Sequence, residues 1–175
     1  AHSPHHSSMY MNMSVALRSS LTQRVLSFSF FWPLVLIGFP VMDIYKMVGV
    51  QLMLGAWHHT SFIQRLKWFE YIFNSPSLHR VHHGVEGKYL DKNYAEVLCL
   101  WDRLFGTFQS EEETPSFGML NQPNSFRMSA INWHFFKVLI NASKKTKRWS
   151  DKILLWFWPL GKFPSDVPKR NLVLP

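Results

Sequence analysis

The pattern His-x-x-His-His occurs twice, as His2, His5, His6 and as His79, His82, His83. Between the copies lie two uncharged runs of 18 residues, 25–42 and 47–64. Spacing of i, i+3 puts two imidazoles on one face of a helix, and neutral imidazole is the commonest side-chain metal ligand. Two apolar helical runs joined by a short turn holding Asp43 and Lys46 return the chain to the side it started from. Both triplets are therefore expected on one face, together with the intervening pair His58 and His59. One triplet alone also fits surface histidines. Its repetition across a long apolar interval points instead to a shared metal site.

Each uncharged run is near the lower limit for crossing a hydrocarbon core of ~30 Å at ~1.5 Å per residue. The expected fold class is all-α: a membrane-embedded helical hairpin over about residues 25–64, with a cytosolic helical cap carrying a polyhistidine di-metal site. Arg18 and Arg24 precede the hairpin, and Arg65, Lys67 and Arg80 follow it. By the positive-inside rule that face is cytosolic. A buried hairpin in a soluble protein is the alternative, but Pro33 and Pro40 suit a membrane helix better. A mean hydropathy of −0.08 excludes a chain lying mostly within the bilayer. The net charge of +8 would serve nucleic acid or an anionic membrane surface. No nucleic-acid motif accompanies it, so the expected partner is the membrane and not nucleic acid.

Beyond the hairpin, helices are expected over 65–73 and 94–105, the latter stopped by Gly106. A turn is expected at 74–77, and loops at 84–87 and 111–125. Residues 132–139 and 153–159 are aromatic and too short to span, with the basic tract 144–148 between them. They read as an interfacial segment or, equally, as a solvated basic face. Two units follow: 1–110, with the histidines, and 111–175. Cys99, the single cysteine, excludes an internal disulfide and reads as a small buried hydrophobe. Of the adjacent pair His58 and His59, only one ring can face the common site.

Structural zinc sites lean on cysteine, and none lies near these histidines. Seven or eight imidazoles exceed what one four-coordinate ion needs. They suit two metals, with iron, copper or zinc all compatible. There is no Gly-x-Ser-x-Gly elbow and no His-Glu-x-x-His, which weakens a hydrolase reading. Oxygen chemistry on a lipid fits best, because unactivated C–H bonds need a strong oxidant. A non-catalytic zinc-binding membrane protein is the alternative. It would be expected to place acidic residues along an ion path within the runs, and neither run has one.

The string His2-Ser-Pro-His5-His6-Ser-Ser, followed by Asn12 and Ala16-Leu17-Arg18, resembles the second histidine box of the fatty acid hydroxylase / sterol desaturase superfamily. Asn74-Ser-Pro-Ser-Leu-His79-Arg-Val-His82-His83-Gly84 resembles its third box. Asp91-Lys-Asn-Tyr-Ala95 and then Leu100-Trp-Asp-Arg-Leu-Phe-Gly-Thr-Phe108 resemble the segment that follows. The resemblance covers most of residues 2–108. Within the superfamily the most similar branch is the alkylglycerol monooxygenases, on the strength of His59-Thr60, Asn-Ser-Pro and Asp-Lys-Asn-Tyr-Ala. It implies a multi-pass enzyme of the endoplasmic reticulum membrane that uses O2 on a lipid substrate at a di-iron centre. The implied ligands are His2, His5, His6, His59, His79, His82 and His83, with no further catalytic residue. That branch implies tetrahydrobiopterin as reductant and cleavage of an ether bond. The sterol and fatty acyl hydroxylases and desaturases imply cytochrome b5 instead. His58 has no counterpart, and His134 is expected to be a packing or surface residue. The family's first box, of His-x-x-x-His type, is expected ahead of Ala1, so these 175 residues alone are expected to be an inactive fragment.

Overall fold

Ser75 and Pro76 open the helix that carries the second histidine triplet. The Ser75 hydroxyl accepts the backbone N–H of Leu78, and Pro76 sits in the first turn, where its missing N–H costs nothing. The expected turn at 74–77 is thus a cap and the start of a helix. In chain order the helices are α1 (Ser3–His6), α2 (Leu21–Leu36), α3 (Val41–His58), α4 (Pro76–His82), α5 (Leu100–Phe105), α6 (Met128–Lys145) and α7 (Trp149–Phe157). The computed structural model describes residues 2–120, 122, 123, 125 and 127–157, and no strand occurs among them. Residues 158–175 of the expected C-terminal segment lie outside the described residues.

The two uncharged runs become α2 and α3, joined through Gly38 at φ +99° and Pro40. No helix among the described residues is long and apolar enough to cross a membrane. This corrects the expected pair of spans over 25–64, and the helix boundaries supply the reason. At 16 residues α2 reaches only about 24 Å, short of a ~30 Å core. α3 begins at Val41, takes the charged pair Asp43 and Lys46 into its first turns and stops at His58. Residues 59–64 of the second run are therefore irregular. α2 and α3 splay around a cavity, and Phe30, Leu36, Met47 and Met53 are exposed on their flanks.

Two further helices are shorter than the sequence pattern predicts. Residues 65–73 contain only the 3-10 turn Phe69–Tyr71. The helix expected over 94–105 starts at Leu100, because the buried carboxylate of Asp102 draws back the N–H groups of Tyr94 (2.8 Å) and Ala95 (2.9 Å). Gly106 ends α5 in the left-handed conformation, φ +73°, as expected. Cys99 is buried, its thiol donating to the Glu70 carbonyl at 3.0 Å. α6 runs unbroken through 132–139 into Lys144 and Lys145, and it meets α7 through Val138, Ala142 and Leu155.

Candidate metal centre

Three chain segments supply the histidines. α1 carries His5 and His6, with His2 at its N-cap. α3 ends on His58, with His59 as its C-cap. α4 carries His79 and His82, with His83 as its C-cap. α3 packs against α4 and against the 3-10 turn Met13–Leu17 that follows α1, so the three sets meet.

The imidazoles gather into two groups, His5–His59–His79–His83 and His2–His6–His82. Within each group the ligand atoms lie within 4.8 Å of one another. All seven residues proposed from sequence fall into these groups. His58 does not: it is buried with its ring 5.5 Å from that of His79, as expected when only one of two adjacent rings can face the centre. His134 lies away on α6, half-buried.

In the first group four Nε2 atoms converge. His59 Nε2 lies 2.8 Å from that of His5, 3.0 Å from that of His79 and 3.2 Å from that of His83. His79 and His83 are also 3.2 Å apart. Hydrogen bonding does not account for this. His59 Nδ1 faces the Gly55 carbonyl, which holds the proton on that nitrogen and leaves Nε2 with one lone pair to face three neighbours. A shared cation does account for it. Imidazoles roughly 2.1 Å from one ion and 90–100° apart stand roughly 3.0–3.2 Å from each other.

Electrostatics agree. Burial first, then repulsion between neighbouring rings, holds His5, His6, His79 and His83 well below the usual imidazole range. His2 is brought down to about 4 by the same causes. The rings are thus neutral at pH 7, with lone pairs free for a metal. The residues present fit a metal in both groups, with four imidazole donors in one and three in the other.

A polar frame orients these rings. His82 Nδ1 donates to the Lys92 carbonyl at 3.2 Å, leaving Nε2 for the centre. Lys92 belongs to a tight loop in which Asp91 and Asn93 both take positive φ, 57° and 50°, a conformation that Asp and Asn tolerate. The Asn93 amide donates to the carbonyls of Leu78 and Gln109 and accepts the Gln109 N–H, clamping the loop onto α4. Arg80, 3% exposed, forms a bidentate pair with Glu111 and donates to the carbonyls of Thr60 and Ile63. It thereby ties α4 to the chain just after His59.

In the sequence Asn93 stands out only through the family resemblance, and Glu111 only as part of an acidic loop. A cue was present in Arg80, a charged residue between two ligand histidines.

Two cavities reach the histidines. The larger, about 610 Å³, lies between α2 and α3 and ends on His2, His5, His59, His79 and His82. The smaller, about 330 Å³, reaches His2, His6, His82 and His83 from the side of Leu90, Leu120 and Phe135.

A family model described as fatty acid hydroxylase matches residues 1–107. Alkylglycerol monooxygenase of Xenopus tropicalis is 35% identical over 178 residues, covering 96% of this chain and 39% of the relative. The Homo sapiens alkylglycerol monooxygenase is 41% identical over 134 residues, 76% of this chain and 30% of the relative. The ornithine lipid hydroxylase OlsE of Rhizobium tropici is 35% identical over 78 residues, 45% of this chain and 24% of the relative. The chain thus spans well under half the length of these relatives. No solved structure matches it.

Proposed function

Because the chain belongs to the fatty acid hydroxylase family, we propose that it is the metal-holding part of a di-iron lipid monooxygenase that cleaves the ether bond of alkylglycerols. The observation that carries this reading is the meeting of seven neutral imidazoles, in two groups, five of them at one end of a largely apolar cavity. Bound iron would supply the activation of O2 that a C–H bond requires. The chain's own residues do the rest. His5, His59, His79 and His83 hold one ion, and His2, His6 and His82 the other. The Lys92 and Gly55 carbonyls fix the His82 and His59 tautomers. The aromatic wall of α2 holds the alkyl chain and excludes water.

In the overall reaction one oxygen atom enters the C–H bond beside the ether oxygen. The other leaves as water, with two electrons and two protons from tetrahydrobiopterin. The hemiacetal so formed breaks its C–O bond to release a fatty aldehyde and glycerol. A second reading, a fatty acyl, sterol or other lipid hydroxylase using cytochrome b5, draws on the similarity to a lipid hydroxylase over 45% of the chain. In either case the exposed apolar flanks of α2 and α3 would lie in lipid of the endoplasmic reticulum. The basic residues Arg18, Arg65 and Lys67 would hold the histidine face at the anionic cytosolic surface of that membrane.

The test uses the full-length enzyme in membranes, assayed for aldehyde release from alkylglycerol with and without tetrahydrobiopterin. His79→Ala should remove both bound iron and activity, by at least about 100-fold, since even supporting partners of a ligand are worth 10–100-fold. Iron retained with no pterin-dependent aldehyde would move the substrate to the second reading. Full activity without bound iron would sink both.

A further inference from the structure

The larger cavity is polar at one end and apolar at the other. Along α3 its wall runs Val41, Ile44, Val48, then Gln51, Gly55 and finally the cap His59. On α2 the apolar Val35, Trp32, Phe31 and Phe28 give way to Ser27 and Gln23 toward the same end. Glu96, from the loop before α5, enters the polar end and is the one carboxylate among the residues that line the cavity. Its Oε2 accepts the Gln51 amide at 2.6 Å. Its Oε1 lies against Gly55, where a Cβ would stand 3.0 Å from it, so glycine lets the carboxylate approach α3 closely. Gly55 precedes His59 by four residues, a rise of about 6 Å. Glu96 belongs to neither histidine group.

From this segregation we propose that Glu96 and Gln51 bind the hydroxylated headgroup of the lipid and so set which carbon reaches the metals. The inference rests on the lipid monooxygenase reading and deepens it. A carboxylate accepts hydrogen bonds from two adjacent hydroxyls, as a glycerol diol offers them. The Gln51 amide keeps that carboxylate turned into the cavity. With the diol held one helical turn from His59, the ether end of the lipid is brought near the histidines. The distal carbons lie along Phe28, Phe31 and Trp32. Arg18 also lines the cavity, so its walls carry a cation as well as the carboxylate, which suits a neutral polyol better than a cationic headgroup.

The experiment uses the full-length enzyme with hexadecylglycerol, its dimethyl ether, and a hexadecyl lipid with a quaternary ammonium headgroup. Turnover and displacement of a fluorescent fatty alcohol are both read. The native enzyme should prefer the diol. Glu96→Leu should raise KM for the diol about tenfold, the loss expected for a hydrogen bond to a charged group. Bound iron should stay within about twofold, kcat for the diol should fall as well because the reacting carbon is no longer held in place, and the dimethyl ether should be unaffected. Gln51→Leu should act in the same direction, and Glu96→Gln should recover part of the preference. A parallel loss for both lipids, an unchanged preference, or a preference for the cationic lipid overturns the assignment. If the native enzyme binds the diol selectively and Glu96→Leu removes that selectivity, but no lipid is cleaved, the catalytic reading falls and the headgroup site stands.

Discussion

Between Asn74 and Gln109 the buried side chains are mostly polar: Asn74, Ser75, Ser77, Arg80, Asn93 and Asp102 accompany the histidines. α6 and α7, by contrast, meet through the small apolar cluster of Val138, Ala142 and Leu155. Apart from Ser77, whose buried hydroxyl has no partner among the described residues, the polar side chains of the first region are held by directional bonds, because a set of neutral rings must be aimed to within fractions of an ångström. The second is held by non-directional burial, which tolerates change of shape. Loss of a partner in the first region leaves a buried group unsatisfied. Loss of a methyl in the second leaves a void at the edge of the molecule.

Arg80→Met is the sharpest way to break the first region. It would strand the Glu111 carboxylate, 10% exposed, and release the carbonyls of Thr60 and Ile63. Breaking such a pair costs about 3–5 kcal/mol. The full-length variant should show a large fall in melting temperature and weakened metal retention. A change under about 1 kcal/mol would mean that the pair does not brace the centre. Leu155→Ala, in the second region, should cost about 2 kcal/mol, at the low end for such truncations because the cluster is small. Bound metal, measured by elemental analysis, should not change. A loss of metal there would make α7 part of the site's support.

The smallest effect is expected at His134→Ala. Its Nε2 is buried without a hydrogen-bond partner among the described residues, so removing the ring relieves an unpaired polar atom while sacrificing some packing. Stability should shift by less than about 1 kcal/mol. Lipid turnover by the full-length enzyme should be unchanged, and a large loss would extend the site to α6.

Much of the candidate site is legible without coordinates. The i, i+3 spacing marks two triplets, the rule that adjacent residues do not share a helix face allows one ligand from the pair His58 and His59, and the family resemblance picks His59. Gly106 announces the end of α5. The helix limits are less legible. An uncharged run over 47–64 says nothing of where a helix starts, and α3 begins early enough to include Asp43 and Lys46. The irregular path of residues 94–99 is invisible in an apolar pattern that fits a helix, because it depends on Asp102 capturing two N–H groups seven and eight residues away.

By itself the sequence determined the kind of chemistry: the number of imidazoles, their pairing on short helices and the absence of competing cysteine ligands are all local properties. Only the tertiary structure decided how those imidazoles divide into four and three, which carbonyls fix their tautomers, and that Glu96 meets Gln51 across the cavity. Apart from the carbonyls of Gly55 and Lys92, 4 and 10 positions from the rings they fix, those facts depend on contacts between residues 20 to 54 positions apart, and they arise largely where α1, α3 and α4 converge.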